Sequence, residues 1–197
     1  MKFVAAADAA GETSVGTAAM IAFFWLQREV DILGRLAWSQ YRPADNPQMV
    51  KIWHYKTGEP VDMPLLDDDG TDLWPELTPR LDACERRGTL IVTRDTADRF
   101  KKIHLPWKKR HFLRTVSKIR KAAGIDPSIK FMGLRHGGNT EGGDANLTDA
   151  QLRALSGHKT ANMTQLYTKR TVQQRRDAAR KRSRLQNESG ADFGMSK

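Results

Sequence analysis

One stretch of the chain carries a two-residue hydrophobic rhythm, and it constrains the fold more than any other feature. Val50, Ile52 and His54 alternate with Lys51, Trp53 and Tyr55; after Lys56-Thr57-Gly58-Glu59 the alternation resumes at Val61, Met63 and Leu65. Period two on both sides of a short polar turn predicts an antiparallel hairpin, with Gly58 supplying the unusual backbone angle of its loop. Thr89 to Thr93 is the one further candidate strand. Elsewhere the apolar spacing is helical, so the expected class is α+β, mostly helical with a small antiparallel sheet.

Ser14 is placed to cap a helix running to about Leu26, with Ala19, Ala22, Phe23 and Leu26 on one stripe. A short helix is expected over Asp31 to Trp38, and Pro43, Asp45, Asn46 and Pro47 mark a turn. A helix is predicted over Leu73 to Arg87, with Pro75 in its first turn. A longer one covers Trp107 to Ala123, with Phe112, Val116 and Ile119 on one side, a basic solvent face, and Gly124 as terminator. Further helices are expected near Arg135, over Thr148 to Leu155, and over Thr160 to Thr168. Residues 1 to 13 read as a flexible lead-in, 14 to 171 as one domain, and 172 to 197 as a basic terminal helix or disordered tail.

Charge narrows the partner. The 197 residues carry a formal net charge of +10, and the sequence pI is about 9.9. That balance favours a polyanion, DNA or RNA, over a protein that is basic merely for solubility. The longest apolar run, Ala18 to Leu26, is too short to span a bilayer, and the acid-broken start is a poor signal peptide. The expectation is a soluble, cytoplasmic protein with no membrane partner. Cys84 is the single cysteine, which excludes an internal disulfide and argues against a cysteine-based zinc cluster.

The chemistry resides in residues scattered along the chain. Arg28 lies in WLQREVDIL, Lys56 begins KTGEPVDMPL, Arg135 and His136 sit in GLRH, and His158 in LSGHKT precedes Tyr167. A phenol, two guanidiniums, an ammonium and an imidazole form a set that attacks a phosphodiester without a metal. The forked donors of arginine match phosphate oxygens and stabilise transition-state charge. A tyrosine hydroxyl is a workable nucleophile where neighbouring cations favour its phenolate. Taken singly, these residues also fit plainer roles. Arg28 suits a helix-face arginine paired with Asp31, Lys56 a solvated turn lysine, His158 a core histidine and Tyr167 a packed aromatic.

Together, in this order and spacing, they resemble the catalytic domain of the tyrosine recombinases, the family of phage integrases. The resemblance covers roughly Ser14 to Thr171. It implies catalytic roles for Arg28, Lys56, Arg135, His158 and Tyr167. Tyr167 would form a 3′-phosphotyrosyl bond, Lys56 would protonate the leaving 5′ oxygen, and His158 would hydrogen-bond the phosphate. The residue that removes the phenol proton is left open. Asp31 would orient Arg28, and His136, facing away from Arg135, would be structural support. No metal or cofactor is implied, because the bond energy is conserved until a 5′ hydroxyl reverses the linkage. The implied partners are double-stranded DNA and further copies of the chain, as a dimer or tetramer on DNA. Lys169, Arg170, Arg175 and Arg176 are read as DNA contacts, and His54, His104 and His111 are given no role.

Two departures from the family pattern temper the expectation of activity. Met132 stands where the family usually has His or Lys, and a thioether transfers no proton. Only a short segment precedes the first helix of the catalytic pattern, where family members carry a helical clamp domain. An alternative expectation follows: a truncated or decayed integrase that binds DNA without cutting it. A general basic nucleic-acid binder, with its key residues far apart in space, is the third reading.

Overall fold

The segment expected to be a loose lead-in is a helix in the computed structural model, which describes residues 2–56, 58, 60–157 and 171–188, with side chains as far as 181. This helix, α1, spans Lys2–Ala9 and buries Val4 and Ala7. It packs on α2 (Thr13–Phe24) and on α5 (Lys109–Ala122). Its Asp8 accepts from both terminal nitrogens of Arg80, at 2.9 and 2.5 Å. No cap or strong apolar stripe announces α1; tertiary contact holds it.

Helix α2 is the hub of the core. It is buried on every side from Val15 to Ala22, so the one-stripe expectation understated it. Its start is fixed from a distance. Asp95 accepts from the Thr13 hydroxyl at 2.8 Å and from the Ser14 N–H at 3.1 Å and hydroxyl at 2.6 Å. A carboxylate at that end also complements the helix dipole. Ser14 is thus the donor to a cap residue rather than the cap itself.

After a reversal through Leu26 comes the short α3 (Glu29–Gly34), ending before the expected Trp38, which opens a separate 3-10 turn. The predicted hairpin is present. Strand β1 (Met49–Trp53) pairs antiparallel with β2 (Pro60–Pro64), with Val50 opposite Met63 and Ile52 opposite Val61. Gly58 sits at φ +69°, as its turn requires. The third strand is not there: Leu90 and Thr93 each make one isolated bridge, to Ala37 and Pro106.

The helix expected over Leu73 to Arg87 shrinks to α4 (Thr78–Asp82). Local side-chain bonds compete with it: Asp72 accepts from the Trp74 N–H at 2.8 Å, and the Trp74 indole donates to the Pro64 carbonyl at 2.7 Å. Helix α5 buries Phe112, Thr115, Val116 and Ile119 and stops just before Gly124, at φ +61°. Helices α6 (Met132–Asp144) and α7 (Asp149–Ser156) follow. Thr148 and Gln151 form a reciprocal capping box that starts α7, and Gly157 ends it at φ +63°. The basic α8 (Val172–Glu188) is anchored on α6, because Thr171 donates to Asp144 at 2.5 Å and Gln174 to the same carboxylate at 3.1 Å.

Candidate active site

Three elements bring the site together. At the end of α2 the chain reverses through Leu26, which adopts φ +55°, a conformation disfavoured for a branched side chain. This turn delivers Gln27 and Arg28 to the start of α3. Helix α6 then crosses the same corner. A Cβ at Gly138 would overlap the Phe23 carbonyl oxygen and the Leu26 side chain, so only glycine permits the approach. That approach carries Arg135, one turn earlier on α6, to the place where Arg28 lies. The two arginines from distant parts of the sequence line one cavity of about 360 Å3.

Arg135 is 4% exposed and donates from Nη2 to the Ser156 carbonyl at 2.9 Å. This ties it to the last residue of α7, the helix that leads toward His158. Arg28 has its Nη1 3.8 Å from Asp31 Oδ2 and 3.5 Å from His54 Nδ1. Asp31 is buried, and its other oxygen accepts the Tyr55 N–H at 2.7 Å. The Arg35 guanidinium stacks over the Tyr55 ring at 4.5 Å. The foot of the hairpin is therefore pinned to α3, while Lys56 at its tip is exposed.

The cavity is cationic. Lys109 and Lys130 line it beside Arg28 and Arg135, against one acid among the described residues, Glu29. Lys109 lies 3.5 Å from Glu29 Oε1. Burial pushes the Glu29 carboxyl above its ordinary pKa, while the Lys109 ammonium beside it pulls the other way. Met132 lines the rim and is 64% exposed. A larger cavity, about 440 Å3, lies elsewhere, but Glu12, Asp95 and Asp98 line it beside Arg94 and Arg99. Three carboxylates make it a poor phosphate site.

The architecture has known counterparts. A lambda integrase dimer bound to a COC′ core site matches with a TM-score of 0.63 and 22% identity, over 85% of this chain and 56% of that one. The lambda integrase catalytic core matches at 0.58 and 22%, over 80% of this chain and 86% of that one. XerA recombinase matches at 0.63 and 14%, over 92% and 60%. The fold is that of a tyrosine recombinase catalytic domain. No family model matches the sequence, and no curated protein does. The chain spans about half the length of the first integrase chains it matches, 56% and 45%.

Within this recombinase fold the expected residues divide into groups. Arg28 and Arg135 share the cavity, with Asp31 beside Arg28. His136, expected to face away, lines that cavity too, because the opening runs along the first turns of α6 and takes in successive residues. Arg175 and Arg176 are exposed on α8. His158, Tyr167, Lys169 and Arg170 lie outside the described residues, as does the helix expected over Thr160 to Thr168. Among the described residues no helix is long and apolar enough to cross a membrane.

Four site residues carry no assigned role in the sequence: Lys109 and Lys130, and the pair Gln27 and His54. Gln27 and His54 are both buried, and the His54 ring meets the Gln27 side chain at 2.7 Å. A signal existed: His54 falls on the Val50–Ile52 face of β1, the buried one, two residues before Lys56. Lys109 and Lys130 gave no such signal, since their place at the cavity follows from how α5 and α6 pack.

Proposed function

We propose that this chain breaks and rejoins double-stranded DNA, with Tyr167 attacking a phosphodiester held between Arg28 and Arg135. The observation that carries the reading is the shared cavity of those two arginines in a recombinase fold. Their guanidiniums present forked donors to the nonbridging oxygens and stabilise the charge that grows there in the transition state. Lys109 and Lys130 add positive potential at the same opening. His158 donates a further hydrogen bond to the phosphate. Attack by the Tyr167 oxygen gives a 3′-phosphotyrosyl bond, and Lys56 on its hairpin tip supplies the proton to the departing 5′ oxygen. Asp31 orients Arg28. A 5′ hydroxyl then reverses the linkage, so the exchange conserves bond energy.

Site-specific recombination is the class of reaction this chemistry serves. The lambda integrase and XerH structures of this fold are dimers, tetramers and complexes on DNA, including a Holliday junction. By extension this chain is proposed to self-associate on DNA. Lys169, Arg170, Arg175 and Arg176 are proposed to contact backbone phosphates, which position a protein on the duplex without reading its sequence.

The test is covalent trapping. Nicked duplexes with randomised flanks are incubated with the protein at low salt, and denaturation-resistant adducts are isolated. Wild type is expected to give an adduct that Tyr167→Phe and Arg135→Ala do not. Equal absence from all three, with duplex binding intact, selects a second reading favoured by the exposed Met132. In that reading the chain occupies DNA without cutting it.

A further inference from the structure

His54 is a buried imidazole beside Arg28 that the proposed reaction does not use, and its surroundings fix its protonation pattern. The Trp25 carbonyl can only accept, and the Gln27 amide nitrogen donates to it. Gln27 Oε1 is therefore the atom that faces His54 Nε2, at 2.7 Å. An amide oxygen is no donor, so Nε2 carries the hydrogen. In the neutral ring Nδ1 is then a bare acceptor, and it faces Arg28 Nη1 at 3.5 Å, the long end of hydrogen-bond range. A Cβ at Gly157 would overlap the ring Cε1 and would meet Val61 Cγ2 at 2.9 Å, so α7 ends directly against the imidazole.

We propose that neutral His54 is a positioning residue: as the Nε2–H tautomer it presents Nδ1 to Arg28 and holds that guanidinium at the wall of the anion cavity. The proposal takes from the recombinase reading only what the cavity binds. A single ring thus joins Gln27 and Arg28, the hairpin that bears Lys56, and the glycine that precedes His158. Protonation places an N–H on Nδ1, facing a guanidinium. The acceptor is lost and like charges meet. Among the described residues, the charged groups acting on the ring are Arg28 and Asp31 on the α3 side and Arg135 from α6. Gly157 packs on the ring without adding charge. Burial, then the two arginines, oppose the imidazolium and outweigh Asp31, so the pKa lies below its ordinary value. Above that value the prop is in place; it fails as pH falls through it.

The test needs no DNA cleavage. Nitrogen NMR of the ring at neutral pH is expected to show a protonated Nε2 and an unprotonated Nδ1; the opposite tautomer overturns the proposal. Inorganic sulfate serves as the anion probe, because it remains a dianion from the ordinary histidine pKa of 6.5 down to about pH 4, the side on which the His54 transition lies. Its binding is followed at the Arg28 and Arg135 side-chain N–H signals. Wild-type affinity is expected to fall on acidification, against the general rise that added positive charge would produce. His54→Gln supplies an acceptor that does not titrate, so it retains affinity within about threefold and lacks the acid fall. His54→Leu is expected to bind roughly tenfold more weakly at neutral pH, the size of one charge-assisted hydrogen bond. An acid fall that persists in His54→Gln, or affinity that rises steadily on acidification of wild type, sinks the idea. Should His54→Leu fail to fold, the tautomer and the His54→Gln comparison still decide. A missing Tyr167 adduct would remove the recombinase reading and leave these outcomes standing.

Discussion

Asp31 and Tyr55 are joined by one hydrogen bond: the Tyr55 main-chain N–H donates to the buried Asp31 carboxylate at 2.7 Å. The same carboxylate lies 3.8 Å from the Arg28 guanidinium. One side chain therefore sets the distance between a phosphate-binding cation and the hairpin that carries Lys56. Asp31→Ala strips a partner from an amide and a counter-charge from a guanidinium, each in a low-dielectric setting. The expected loss is about 3 kcal/mol, as for a broken buried pair. Asp31→Asn keeps an acceptor for Tyr55 and is expected to cost roughly half of that. Urea unfolding of the three proteins measures both differences.

Gly157 is constrained twice. Its φ of +63° disfavours any side chain, and a Cβ would enter the His54 ring. Gly124 has nearly the same φ, +61°, but a Cβ there would meet only the Lys2 amine, at 4.0 Å. The pair separates backbone strain from collision. Gly124→Ala is expected to cost about 1 kcal/mol, the left-handed penalty alone. Gly157→Ala adds overpacking and is expected to cost about 2–5 kcal/mol in all. Thermal unfolding with far-ultraviolet circular dichroism distinguishes them; equal shifts would mean that the ring moves aside freely.

The contrast between those glycines also shows where sequence stops informing. The hairpin was legible because Val50, Ile52, Val61 and Met63 alternate and Gly58 marks the turn. Helix α5 was legible because one apolar stripe stands out against a basic face. Helix α1 carries no such contrast and forms because α2 and α5 offer it a surface. The Leu73 to Arg87 helix was overcalled because propensity does not register Asp72 and Trp74 bonding elsewhere. In the site, Arg28 and Arg135 were visible as residue types in a familiar order. The tautomer of His54 was not, because it depends on a carbonyl at Trp25 that reaches the ring only through Gln27.

Tyr41 gives a stability prediction at alkaline pH. Its hydroxyl donates to Asp82 at 2.8 Å while Arg42 donates to it at 3.3 Å. Burial first, and then the bond to Asp82, raise its pKa to about 12. The unfolded tyrosine titrates near 10. Between those values the unfolded chain releases a proton that the folded chain keeps. This contribution is therefore complete below about pH 10 and is lost as pH rises to about 12. Tyr41→Phe is expected to be less stable at neutral pH and to show a flatter decline across that window. Urea midpoints measured at intervals through the window test it, with an unchanged slope as the contrary result.

The cavity rim gives the last prediction, which concerns DNA. Lys130 is exposed there, and Met132 lies beside it, 64% exposed. Both line the cavity that holds Arg28 and Arg135. Each lysine that neutralises a phosphate of duplex DNA contributes roughly −0.9 to the slope of log affinity against log salt. Lys130→Ala is expected to make that slope shallower by about 0.9, and Met132→Lys to make it steeper by about as much. Both sites are solvent-exposed, so neither change should move stability by more than about 0.5 kcal/mol. The measurement is fluorescence anisotropy of a short labelled duplex over a series of chloride concentrations. Parallel lines for all three proteins would place the DNA away from this opening. They would also remove the phosphate path on which the roles of Arg28 and Arg135 depend.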